Sequence, residues 1–198
     1  KDLPVDLLAC PGHKGLLGPL GTGLLYVRPG VEQQLRSIRQ GGTGSNSEDD
    51  RQPEMLPDKY ESGNHNAPGL YGLEAALEWI QERGIESIRA HEQELTGRLL
   101  EGLARIERLK IHGPRDVEKQ VGVVSVTIPD FEPQVLASIL DESFGIQTRA
   151  GLHCAPGVHR ALGTFEGGGT VRLSVGPSTT ENEVDAAVTG LTELAAAV

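Results

Sequence analysis

The sequence predicts an α/β segment over residues 1–97 followed by a small, compact α+β domain over residues 98–198. Three observations carry this. Short apolar strand patterns near the start give way to long helical periodicities. From Arg98 onward the order is helix, strand, strand, helix, strand, strand, helix, which suits a mostly antiparallel sheet covered by helices. The 26 glycines cluster between these elements instead of recurring at a fixed period. That excludes collagen and marks sharp turns and close backbone approaches.

Val5 to Cys10 reads as a short buried strand. Pro11 to Gly15 breaks it. Gly18 to Gly23 is a tight turn, and Leu24 to Val27 is a second apolar strand ended by Pro29 and Gly30. Val31 to Ile38 is expected to form a short helix. Residues 40–66 are polar, with Gly41-Gly42-Thr43-Gly44-Ser45 at one end and Glu61-Ser62-Gly63-Asn64-His65-Asn66 at the other. A loop of that length is functional, an interface, or disordered. Ala67-Pro68-Gly69 opens a helix with Leu70, Leu73, Leu77 and Ile80 on one face, and Gly84 interrupts it. Ile88, His91, Leu95, Leu99, Leu103 and Ile106 define a second helix.

Ile111 and His112 form a brief strand, and Val121 to Ile128 a strand rich in β-branched residues. A helix follows over 133–143, then a short strand over 145–149, then a loop and short helix over 151–162. Thr170 to Val175 alternates at period two, as a half-buried strand does. Thr179 or Thr180 caps the last helix. Glu183 completes a capping box from Thr180, and Val184, Val188, Leu191 and Leu194 form the apolar stripe.

The formal charge of −10 argues against a nucleic-acid partner. No apolar run approaches the ~18–20 residues that cross a bilayer, so no membrane partner is expected. No secretion leader is visible and the two cysteines cannot build a disulfide framework, so a cytoplasmic location is expected. The turn Gly18-x-x-Gly21-x-Gly23 has the wrong order for a dinucleotide fingerprint, and no P-loop is present.

Three places carry chemistry. Lys14, after a buried strand and between small residues, points into a pocket in one reading and into solvent in the other. A desolvated amine forms an imine with an aldehyde. Cys154 sits in Arg149-Ala150-Gly151-Leu152-His153-Cys154, where Arg149 and His153 are placed to favour a thiolate. Cys10, within an apolar strand, reads as an inert core thiol. Cys10, His13, His153, Cys154 and His159 have the side chains zinc uses. They lack the spacing of a zinc site, so no metal is expected.

Gly12-His13-Lys14, Gly18 to Gly23, the loops at 41–45 and 61–66, Arg149 to Cys154 and Val171-Arg172-Leu173-Ser174 occur in an order that resembles the cysteine desulfurases. These belong to the class V aminotransferase group of fold-type I pyridoxal-phosphate enzymes, and the branch related to selenocysteine lyases is the most similar. The resemblance runs over essentially the whole chain. It implies the end of a fold-type I large domain over 1–97 and the complete small domain over 98–198, as a C-terminal portion. It implies pyridoxal 5′-phosphate on Lys14 as a Schiff base, with His13 and Asn64 contacting its phosphate. Arg172 would hold the substrate carboxylate, with Arg149 as the weaker candidate. Cys154 would take sulfur from L-cysteine or selenocysteine as a persulfide, releasing alanine.

The resemblance further implies a homodimer whose loops at 41–45 and 61–66 reach the neighbouring site, and a sulfur-acceptor protein. Two departures stand out. Pro11 replaces a usual Ser or Thr phosphate donor and has no N–H, and Asn64 stands where Thr is common. The alternatives are a related class V aminotransferase, a selenocysteine lyase, or a cofactor-free fragment inactive on its own.

Overall fold

The computed structural model describes residues 4–42, 44–46 and 48–197. Thr43 of the glycine-rich loop lies outside them. The chain divides into two compact units, Lys1–Gly84 and Ile85–Val198.

In the first unit, strands β1 (Leu7–Pro11) and β2 (Gly23–Val27) pair antiparallel, with Leu7 opposite Val27 and Pro11 opposite Gly23. The expected buried strand is not buried. Leu7, Leu8, Leu24, Leu25 and Tyr26 are exposed. A two-stranded ribbon has two faces to cover and is too small to bury either by itself. Cys10 is accordingly half-buried, not a core thiol, and both cysteines are free. Only Val31–Gln34 turns, as one short 3-10 helix, and Leu35 is already extended.

The polar stretch that follows is tied down by a buried lysine. Lys59 is 3% exposed, and its Nζ donates to Glu32 O at 2.9 Å and to Glu54 Oε2 at 2.5 Å. Ser37 Oγ donates to Lys59 O at 2.6 Å. Gly63 N donates to Gly42 O at 3.0 Å, which joins the two glycine-bearing ends of the stretch. Helix α1 (Ala67–Arg83) begins where Asn66 accepts from Gly69 N, with Pro68 in its first turn, and stops at Gly84 with φ 82°.

The second unit opens on α2 (Ile85–Leu103), so the expected boundary at residue 97 falls inside a helix. Strands β3 (Lys110–His112), β4 (Val123–Thr127), β5 (Arg149–Gly151) and β6 (Thr170–Ser174) form one antiparallel sheet in the order β3-β4-β6-β5. Helices α3 (Pro133–Phe144), α4 (Pro156–Leu162) and α5 (Glu181–Ala196) complete it. One sheet face carries Ile111, Val124, Val126, Val171 and Leu173 into a core with Leu95, Leu99 and Leu103 of α2, Leu136 and Leu140 of α3, and Val184 and Leu191 of α5. Each buried leucine stabilises by about 2 kcal/mol.

The strand expected over 145–149 lies instead at Arg149–Gly151. Gly145, at φ 66°, ends α3, and Ile146 N returns to Leu140 O at 2.9 Å, so these residues serve the helix end. Thr180 and Glu183 form the capping box of α5. No helix among the described residues is long and apolar enough to cross a membrane.

Candidate functional site

The residues of interest fall in both units, and each group is built locally. In the first, β1 and β2 are joined by a tight turn. Gly12 N donates to Thr22 O at 2.8 Å, Gly18 N to Gly12 O at 2.8 Å and Leu17 N to Lys14 O at 2.9 Å. Gly12 is buried, and a Cβ there would overlap Thr22 Oγ1 and lie 3.0 Å from Thr22 Cβ. Thr22 is itself fixed by donating to Pro19 O at 2.6 Å. This clasp fixes the backbone on which His13 and Lys14 stand, and the sequence reading missed it. The signal was the threonine between Gly21 and Gly23.

Lys14 is exposed, as is His13. Of the two readings of Lys14, this unit by itself gives the solvent one, because its turn projects from an exposed ribbon. The Lys14 amine has no hydrogen bond or ion pair among the described residues. Lys59 differs on both counts, being buried and doubly bonded. Asn64 is exposed beside the Gly63–Gly42 crossing.

In the second unit, the sheet face opposite the core carries the polar residues. Period-two alternation places Arg172 there, next to Ser125 on β4 and directly opposite Arg149 on β5. Two guanidinium groups opposed across strands destabilise a sheet unless an anion joins them. Arg172 Nε is buried and has no hydrogen-bond partner among the described residues. Such a donor is costly in a folded chain unless a water, an ion or a ligand meets it.

Past β5 the chain turns through His153 and Cys154, both left-handed, with φ 52° and 59°. Left-handed backbone costs a residue with a side chain ~1–2 kcal/mol, so this turn must be held by its surroundings. His153 Nε2 meets Arg149 O at 2.9 Å. A carbonyl only accepts, so Nε2 carries the proton. Arg149 Nη2 lies 3.7 Å from Cys154 Sγ, and the thiol is exposed. Burial holds the His153 imidazole below its ordinary 6.5; the Arg149 carbonyl opposes this, and Arg172, His159 and Arg149 add to it. His153 is therefore neutral at pH 7, and the lasting cation beside the sulfur is Arg149.

Two glycines make room for this turn. Gly169 has φ 101°, and a Cβ on it would overlap Gly151 O and come within 3.0 Å of Gly151 Cα. The structure thus brings Arg149, His153, Cys154 and Arg172 together. His159 is part of the same neighbourhood, with its ring centroid 5.5 Å from that of His153. Among the described residues no group of three or more His, Cys, Asp or Glu is placed to hold a metal ion.

The sequence matches the family description "Aminotransferase class-V" over residues 1–187. A protein named "Probable cysteine desulfurase" from Methanothermobacter thermautotrophicus is 36% identical over 197 residues, covering 98% of this chain and 49% of that protein. The apo structure of a cysteine desulfurase from Thermococcus onnurineus NA1 superposes with a TM-score of 0.87 at 34% identity, over 98% of this chain and 48% of that one. The cysteine desulfurase CsdA from Escherichia coli gives a TM-score of 0.82 at 25% identity, with 98% and 47% covered. The chain spans about half the length of the curated relatives it matches.

Proposed function

The chain belongs to the aminotransferase class-V family, and from that premise we propose that it carries the amine, carboxylate-binding and sulfur-accepting residues of a pyridoxal-phosphate-dependent cysteine desulfurase. The observation that supports this most directly is on the open sheet face of the second unit. Arg172 and Arg149 are opposed there, with an exposed thiol 3.7 Å from Arg149. Two cations suit an α-carboxylate, and a thiol beside one of them suits sulfur chemistry.

Pyridoxal phosphate fits the residues present. Its aldehyde needs a reachable amine free of internal partners, and Lys14 provides one whereas Lys59 does not. When bound, the cofactor supplies an electron sink for the substrate's α-carbon. Lys14 Nζ would hold the cofactor's aldehyde carbon and would be placed to hold and move the proton at the substrate's α-carbon. His13 would contact the phosphate, and Asn64 would donate its amide N–H to the phosphate in the neighbouring subunit. Arg172 binds the substrate carboxylate as a bidentate fork, which lysine does not copy, and Arg149 flanks it.

Cys154 Sγ attacks the sulfur of L-cysteine. The substrate's C–S bond breaks and an S–S bond forms. Of the two thiol hydrogens, one ends on the former Cβ, giving alanine, and one stays on the terminal sulfur of the persulfide. That sulfur is then passed to an acceptor protein. In this reading the holoenzyme is a homodimer in which the exposed Asn64 serves the neighbouring subunit. A cytoplasmic location accords with two free thiols.

In the holoenzyme, Cys154→Ser is expected to stop alanine formation from L-cysteine, with Cys10→Ser active. An unchanged rate in Cys154→Ser overturns the reading and favours a related aminotransferase or lyase.

A further inference from the structure

Behind the turn that carries Cys154 stands a chain of contacts not used by any step above. His159, on α4, is 4% exposed. Its Nδ1 lies 2.8 Å from Thr164 Oγ1. Thr164 is 7% exposed, and its own backbone N donates to His159 O at 2.9 Å, so both partners are fixed. Nothing in hydrophobic packing asks for this pair. An apolar residue at either position would fill the space without needing a partner. The His159 ring, set by Thr164, lies against the His153 ring at 5.5 Å with a 41° tilt. His153 in turn bonds the carbonyl of Arg149, whose guanidinium faces the sulfur.

We propose that His159 and Thr164 are positioning residues for Cys154, in that the Thr164-anchored imidazole of His159 backs His153 and so keeps Sγ presented to Arg149. The inference rests on Cys154 being the reacting thiol, but its test does not need the desulfurase reaction. Among the described residues, the two left-handed residues, His153 and Cys154, are held by local contacts. These include the Arg149 carbonyl on His153 at 2.9 Å, the Arg149 Nη2 contact on Cys154 Sγ at 3.7 Å, the turn bond from Ala155 N to Leu152 O at 2.8 Å, and the ring behind. Removal of the ring's anchor lets His153 rotate, and the turn then relaxes towards ordinary backbone with Sγ carried away from Arg149. Among the described residues, the charged and titratable groups that act on these rings are Arg149 of β5, Arg172 of β6 and His112 of β3, all cationic or neutral.

The test is the rate at which iodoacetamide alkylates Cys154 in this chain at neutral pH, read by mass spectrometry of tryptic peptides. Cys154 falls in the peptide 150–160, and Cys10 in a separate one serves as internal control. Thr164→Val keeps the shape and removes the hydroxyl, whereas Thr164→Ser keeps the hydroxyl. We expect about a fivefold slower Cys154 alkylation in Thr164→Val, the scale of one lost hydrogen bond, with Thr164→Ser near wild type and Cys10 unchanged in both. His159→Phe, which keeps a ring without the anchor, is expected to behave as Thr164→Val does. In the holoenzyme the same variants should lower kcat and leave KM in place. Wild-type alkylation in a Thr164→Val chain that melts normally overturns the proposal. So does loss of reactivity in both Thr164→Val and Thr164→Ser, which marks bulk packing as the cause. Failure of Cys154→Ser to stop alanine formation would instead sink the desulfurase reading and leave the alkylation result standing.

Discussion

Replacement of Arg172 by methionine should make the second unit more stable while disabling it. The structure supplies the terms. Arg172 is directly opposite Arg149, and like charges so placed cost roughly 0.2–1 kcal/mol. Its Nε is buried without a partner among the described residues, which costs about 1–3 kcal/mol when the group is fully desolvated. Because the side chain is only half-buried, the lower end of that range applies. Methionine retains most of the aliphatic stem that packs on the sheet, so little is lost in exchange. The gain is about 1–2 kcal/mol, or a melting shift of roughly 4–8 °C for each kcal/mol in a unit of this size. Calorimetry of the ligand-free chain checks the sign, and binding of a carboxylate analogue of the substrate to the holoenzyme checks the cost. A lower melting temperature in Arg172→Met would show that the opposed arginines are satisfied within the fold and would remove the argument for an anion between them.

Three other outcomes can be measured with the same material. Gly169→Ala, strained in φ and overlapping Gly151, should destabilise the second unit by about 2–5 kcal/mol, whereas Gly163→Ala, with nothing within 4 Å, should cost only about 1 kcal/mol; equal losses would refute the close crossing. Burial, first among the causes, holds His112 and His153 below 6.5, so the unfolded chain binds more protons. Stability is then full well above 6.5 and falls as pH drops through and below 6.5, and a His112→Gln, His153→Gln chain should show a flatter melting profile. Borohydride reduction after incubation with pyridoxal phosphate should place the label on Lys14, and a label on Lys59 or Lys110 would contradict the assignment.

What the sequence reveals tracks how local each cause is. The capping box of α5 was legible because Thr180 and Glu183 are three residues apart and meet through one turn of backbone. The alternation in β6 told that Arg172 faces away from Val171 and Leu173, and the register with β5 then put Arg149 across from it. The exposure of β1 and β2 was not legible. An apolar strand looks the same whether or not a layer covers it, and covering is decided by other parts of a fold. Nor was the contact of Gly169 with Gly151, since close approach of two backbones leaves no mark beyond a glycine. His159 was visible only as a possible metal ligand, because its partner Thr164 lies beyond the end of α4 and nothing in the spacing ties the two together.

Lys59 gives the polar stretch a different economy from the one its composition suggests. Its ammonium draws together Glu32 and Glu54, while Gly63 meets Gly42. The conformational entropy of some twenty residues is thereby lost when the unit folds and not when a second body arrives. Ordering costs at an interface reach about 0.5–1.5 kcal/mol for each immobilised side chain, and a loop already pinned contributes little to them. A surface presented by such a loop can associate at lower protein concentration than a floppy one of the same area. In the homodimer proposed above, Lys59→Met should therefore weaken self-association, although Lys59 itself is buried.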